Sequence, residues 1–122
     1  MKLLLIEDND MLRKSLAFFL KSKGYDVIEF DNGLDAIDFI RNQYKEINII
    51  VTDLNLPFAG GQQIIHATRQ IKDADIQIIV LTSSGVENAE LEVFEMGAND
   101  FISKPFSPAV LLKRIEKLLP VH

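Results

Sequence analysis

Apolar residues along the chain follow two alternating patterns. Short continuous runs (Leu3 to Ile6, Ile47 to Val51, Ile76 to Leu81, and Phe101-Ile102) are separated by stretches with an apolar residue every third or fourth position. Continuous, often β-branched runs of this length predict strands buried on both faces. Tyr25 to Phe30 mixes Val27, Ile28 and Phe30 with Asp26 and Glu29, which suits an edge strand. The stretches between predict helices. Leu12, Leu16, Phe19 and Leu20 mark one from about Asp10 to Lys23, ended by Gly24. Leu34, Ile37, Ile40 and Tyr44 form the apolar stripe of a second, capped by the Asp31-Asn32-Gly33 turn. A third carries Ile64, Ile65, Thr68 and Ile71. A fourth, near Glu87 to Met96, places Ala89, Val93 and Met96 on one face and stops at Gly97. The last begins at Ser107-Pro108, with Leu111, Ile115, Leu118 and Leu119 inward. Strand and helix thus alternate five times with short loops. That order predicts one α/β domain over residues 1–122, a parallel sheet with helices on both faces and right-handed crossovers.

Composition narrows the setting. The net charge of −5 argues against direct contact with nucleic acid, whose phosphates demand basic patches. With no cysteine, neither a disulfide framework nor a thiolate metal site is available. No apolar run approaches the roughly 18–20 residues needed to cross a bilayer. The apolar start at Leu3 is stopped by Glu7-Asp8, short of the ~7 residues of a signal core. These features predict a cytoplasmic protein that touches no membrane.

Four of the runs end on polar residues with chemistry in common. They lead into Glu7-Asp8, Thr52-Asp53, Thr82-Ser83 and Ser103-Lys104-Pro105. In an open parallel sheet, ligands bind in the crevice outside the carboxyl ends of the strands. A carboxylate beside a divalent cation can attack a phosphoryl donor. The remaining need is positioning and charge neutralisation on the phosphoryl oxygens. Glu7, Asp8 and Asp53 supply hard oxygen ligands of the kind Mg²⁺ takes. Lys104 can pair with a phosphoryl oxygen, and Thr82 can donate a hydrogen bond to another. Any one of these alone reads as an ordinary polar strand end; their convergence argues for a site. His66, His122 and Asp10 read as bland, Asp10 as a helix cap, and Lys113, Arg114 and Lys117 as a solvated face. Leu91 and Phe94 lie off the inward stripe of the fourth helix and mark a candidate interaction surface.

These residues resemble the receiver domain of two-component response regulators over essentially the whole chain. The resemblance rests on Glu7-Asp8, on Asp53 followed by Pro57 and Gly61, and on Thr82-Ser83. It rests also on Gly97-Ala98-Asn99-Asp100-Phe101 and Lys104-Pro105-Phe106. It implies a doubly wound, flavodoxin-like (βα)5 fold with strand order 2-1-3-4-5. It further implies that Asp53 is the phosphoacceptor, charged by a sensor histidine kinase or histidine phosphotransfer protein. Such a domain catalyses only its own phosphorylation and dephosphorylation. Glu7 (through water), Asp8, Asp53 and the main-chain carbonyl of Asn55 would bind Mg²⁺ or Mn²⁺. Thr82, Lys104 and Phe101 would form the switch, the Lys104-Pro105 bond would be cis, and Asn55 and Ser84 would tune the phosphorylated lifetime. The fourth helix, fifth strand and fifth helix would contact an output domain or downstream target, with homodimerisation on phosphorylation. Ala109-Val110 stand where receivers of winged-helix transcription factors often carry a basic-acidic pair, which weakens the symmetric-dimer expectation. A haloacid dehalogenase-type enzyme is disfavoured because Asn55 replaces the needed second Asp, and an FMN carrier because Glu7-Asp8-Asn9-Asp10 replaces a phosphate loop. A pseudo-receiver serving as a phosphorylation-independent interaction module stays open.

Overall fold

A computed structural model describes residues 1–83 and 87–119, with the backbone alone for 87–90. Its strands are β1 (Lys2–Ile6), β2 (Asp26–Phe30), β3 (Ile49–Asp53), β4 (Gln77–Ser83) and β5 (Asp100–Lys104). Its helices are α1 (Asp10–Ser22), α2 (Gly33–Gln43), α3 (Gly61–Arg69), α4 (Glu87–Met96) and α5 (Pro108–Leu118). All strand pairs are parallel, and the order β2-β1-β3-β4-β5 is the one expected. The edge assignment of β2 therefore holds, with β5 at the other edge.

Strand alternation divides the core into two layers. Leu3, Leu5, Ile49, Val51, Ile79, Leu81 and Ile102 face α1 and α5, packing on Leu16, Leu20, Leu111 and Ile115. Leu4, Ile6, Ile50, Ile78 and Val80 face α2, α3 and α4, packing on Ile37, Ile40, Ile64, Ile65 and Val93. Both faces of the central strands are thus covered, which is why their sequences read as continuous apolar runs.

Several local readings shift. Leu34 is 60% exposed, and the buried positions of α2 are Gly33, Ala36, Ile37 and Ile40. That spacing of i, i+3, i+4, i+7 defines the face, and Leu34 sits about 100° around from Gly33. The cap of α1 is Asn9, whose side chain accepts from the Leu12 amide, so Asp10 is instead the first helical residue. Ile71 lies beyond the end of α3. The expected role of Ala89 in the α4 stripe falls outside the described side chains.

Arg69 ties three elements together at the amino end of β4. Its guanidinium donates to the carbonyls of Ile76 at 2.7 Å and Gly97 at 2.9 Å, and to Asn99 Oδ1 at 2.8 Å. Burial holds its pKa below that of a free arginine, with Asp75 opposing. We expect Arg69→Leu to cost about 1–3 kcal/mol, the usual range for orphaned carbonyl acceptors. A lower urea midpoint with an unchanged m value would register this. Arg69→Lys should recover little, because one ammonium cannot reproduce the planar fork.

Candidate functional site

Period-two alternation explains how the candidate residues meet. Glu7 follows Leu3 and Leu5, Asp53 follows Ile49 and Val51, and Lys104 follows Ile102, so all three fall on the α1/α5 side of the sheet at its carboxyl edge. Asp53 is the last residue of β3 and pairs in register with Leu81 of β4. Lys104 is the last residue of β5 and pairs with Ser83.

The Lys104 ammonium bridges two carboxylates. Its Nζ lies 2.6 Å from Glu7 Oε1 and 3.0 Å from Asp53 Oδ2. Glu7 and Asp53 are buried, whereas Asp8 is exposed. Burial alone would lower the Lys104 pKa; the hydrogen bonds and charges of Glu7 and Asp53 outweigh it and leave the pKa raised. Ligand atoms of Glu7, Asp8 and Asp53 all lie within 4.8 Å of one another. An all-oxygen, three-carboxylate set of this size fits a hard divalent cation and offers nothing to a soft one. These are the residues that could hold a metal.

One supporting residue escaped the sequence reading. Arg13 is buried, and its Nη1 donates to the Glu7 carbonyl at 2.9 Å. Its other nitrogens reach Asp10 Oδ1 at 2.8 Å and Glu29 Oε1 at 3.3 Å. Burial lowers its pKa, but Asp10 and Glu29 more than compensate, so the net shift is upward. The Asn9 amide adds a bond of 3.0 Å to Glu7 Oε2. The signal was available: Arg13, Leu16, Ala17 and Leu20 make an i, i+3, i+4, i+7 stripe, with a cation in an inward position.

The remaining candidates lie on the opposite face or in loops. Thr82 is buried near the end of β4, on the side of Val80 and Ile78. Val80 pairs with Phe101 and Thr82 with Ser103, so Thr82 and Phe101 are diagonal neighbours on one face. Phe101 is half-buried, and its ring meets that of Phe94 edge-on, with centroids 5.2 Å apart and planes at 75°. Phe94 and Leu91 are exposed, as is Val110 of α5. The Lys104-Pro105 peptide is cis. Asn55 is exposed in the loop after Asp53. Ser84 lies outside the described residues, as does His122; His66 is an exposed residue of α3. The solvated-face reading of α5 needs correction at Arg114, whose Nη1 sits 2.8 Å from both carboxylate oxygens of Asp100.

Comparison with known proteins gives concordant matches. A family model described as response regulator receiver domain matches residues 3–116. Response regulator RR06 of Streptococcus pneumoniae is 34% identical over 98% of this chain and 53% of its own length. The chain therefore spans about half the length of that curated relative. The solved chemotaxis protein CheY4 of Vibrio cholerae superposes with a TM-score of 0.85 at 27% identity, covering 97% of this chain and 98% of that one. A response regulator from Burkholderia pseudomallei, solved with a phosphorylated aspartic acid, calcium ion and citrate, gives 0.78 at 26% identity, covering 91% and 64%.

The ammonium bridge has a definite pH signature. A raised folded-state pKa means that Lys104 stabilises the fold fully below the unfolded value of about 10.4. That contribution is lost as pH rises through the folded value. Lys104→Met should therefore be less stable than the parent by about 1–3 kcal/mol near neutrality. The gap should narrow above about pH 10.4. Urea unfolding from neutral to alkaline pH, in the absence of divalent cations, measures it. A gap constant across that range would exclude the bridge as the source.

Proposed function

The chain belongs to the response regulator receiver-domain family, and on that premise we propose that it is a phosphorylation-driven signalling domain with Asp53 as phosphoacceptor. The observation that carries this reading is the Lys104 ammonium bridging Glu7 and Asp53 beside Asp8 at the carboxyl edge of the sheet. In this reading residues 1–122 form one receiver domain. An Asp53 carboxylate oxygen attacks the phosphorus of a phosphohistidine on a sensor kinase or phosphotransfer protein. The new O–P bond forms as the N–P bond breaks, and the imidazole nitrogen leaves with the electron pair. The same carboxylate later returns its phosphoryl group to water.

Glu7, Asp8, Asp53 and the Asn55 carbonyl would hold Mg²⁺ or Mn²⁺, which supplies charge neutralisation for the phosphoryl oxygens. Lys104 already touches Asp53 and needs little movement to pair with a phosphoryl group there. Arg13 and the Asn9 amide fix Glu7 from behind, and such supporting contacts hold a site to the geometry that transfer requires. The phosphorylated aspartic acid and calcium ion of the Burkholderia pseudomallei neighbour support both the acceptor and the cation.

Thr82 and Phe101 supply the readout. Drawing the Thr82 hydroxyl toward the phosphoryl group opens space on the face where Phe101 is its diagonal neighbour. Phe101 rests on Phe94, so an inward turn of one ring removes the support of the other. The surface of α4, β5 and α5, with Leu91 and Phe94 exposed, is the side that signals to an output domain, a target or a second copy. Among the described residues no helix is long and apolar enough to cross a membrane. The cytoplasmic location belongs to this proposal because a phosphohistidine donor must reach Asp53.

With Mg²⁺ and a small-molecule phosphoryl donor, intact-mass analysis should show one added phosphoryl group, absent in Asp53→Asn and absent after chelation. Beryllium fluoride should form a stable adduct on the parent and none on Asp53→Asn. No modification and no adduct on the intact protein would instead favour an interaction module that works without phosphorylation.

A further inference from the structure

The loop between Asp53 and α3 is held in part by a residue of another element. Within the loop, the Pro57 carbonyl accepts from the Ala59 amide at 2.8 Å, closing a three-residue turn. Its central residue, Phe58, has φ of 68°, a left-handed conformation unfavourable for a bulky side chain. The Phe58 side chain is 87% exposed, so packing does little to offset that strain. Something outside the turn must hold it.

The contact is Gly33, the first residue of α2. Its amide donates to the same Pro57 carbonyl at 3.3 Å. A Cβ at Gly33 would lie 1.8 Å from the Ala59 carbonyl oxygen and 2.6 Å from its carbon. The Gly33 backbone is helical, so glycine is needed there for space and not for conformational freedom. The far end of the loop is closed as tightly. The Gly61 amide donates to the Leu54 carbonyl at 2.9 Å, and a Cβ at Gly61 would lie 2.8 Å from the Asp53 carbonyl. Asn55 hangs between these two fastenings.

We propose that Gly33 is a positioning residue for the cation and phosphoryl site: by admitting the Pro57–Ala59 turn against α2, it sets the path of the loop that carries Asn55 away from Asp53. This rests on the reading of Asp53 and Asn55 given above. Any side chain at 33 pushes the Ala59 carbonyl away by more than an ångström, breaks the bond to Pro57 and releases the strained turn. Asn55 then loses its fixed distance from Glu7 and Asp8. Asn55, Pro57 and Phe58 are exposed, whereas Leu54, Leu56 and Ala59 pack on the α2/α3 core layer. The substitution therefore costs some stability, and its effect on the site is read as cation affinity of the folded protein.

Calorimetric titration with Mg²⁺ tests this on four forms of the chain. Gly33→Ala should bind Mg²⁺ about tenfold more weakly, at the lower end of what loss of a supporting contact costs a metal site. Gly24→Ala is the control for mere instability. It has φ of 97° and nothing within 4 Å of a Cβ, so alanine strains the backbone far from the site. It should lower the thermal midpoint and bind Mg²⁺ as the parent does. Adding Phe58→Gly to Gly33→Ala should recover none of the affinity, since glycine relieves the strain of the turn without refastening it to α2; full recovery would overturn the proposal. Equal binding by Gly33→Ala and the parent would overturn the proposal, as would equal weakening in Gly24→Ala. If Gly33→Ala is too unstable to titrate, Ala59→Pro removes the amide that closes the turn from the loop side. It must weaken Mg²⁺ binding similarly, and unchanged binding overturns the proposal just as directly. A parent that binds no Mg²⁺ overturns the reading of the site itself, together with any role for Gly33.

Discussion

Three carboxylates held within 4.8 Å of one another repel, and two of them, on Glu7 and Asp53, are buried. Burial strengthens that repulsion by lowering the local dielectric. The Lys104 ammonium offsets it, and the strand order is what makes Lys104 available. β5 lies at the sheet edge two strands from β3 and three from β1, yet a lysine at its last position reaches both Glu7 and Asp53. A long, flexible side chain with a point charge suits that span better than a rigid guanidinium. On the proposed function, a cation or phosphoryl group entering the site changes the partners of an existing ion pair instead of creating charge contacts from nothing.

The two faces of the sheet divide the labour. Acids and lysine lie on the α1/α5 side, and Thr82 and Phe101 on the other, toward α4. On the proposed function, a signal that starts on Asp53 must cross the sheet edge to reach an outer surface. Thr82 on the neighbouring strand is one residue past the position paired with Asp53, and successive strand residues point to opposite faces. The Phe94–Phe101 edge contact extends the path to an exposed helix. On the proposed function, each step is a contact between packed groups with a limited set of arrangements, which is what a two-state response requires.

Periodicity in the sequence disclosed the fold almost entirely, because each central strand is buried on both faces and each helix has an apolar stripe. Errors came where a pattern was read without its partner. Leu34 fits a helical stripe by spacing from Ile37, but the buried face starts at Gly33, and a glycine carries no hydropathy signal. Arg114 looks solvated on a helix that begins with Pro108, until Asp100 of β5 is placed beside it. The acidic cluster and Lys104 were legible as strand ends because parallel topology forces strand ends together. Arg13 was legible too, had the inward stripe of α1 been counted with its charge included. Side-chain distances, including which carboxylates Lys104 touches, were not.

Glycine shows most directly why part of the site could not be read. Gly24 and Gly97 have φ of 97° and 118°, and each follows a helix, so sequence position alone announces them as helix ends. Their requirement is local: a backbone angle that other residues resist. Gly33 and Gly61 have no such angle, and what they lack room for is the backbone of Ala59 and of Asp53 respectively. Both requirements arise only once the loop after Asp53 is folded against α2 and back on β3. For Gly33 the partner is more than twenty residues away, so no local pattern around it can register the constraint. A glycine at the first position of a helix reads as a weak cap, while its physical role is decided by the loop that comes to rest on it.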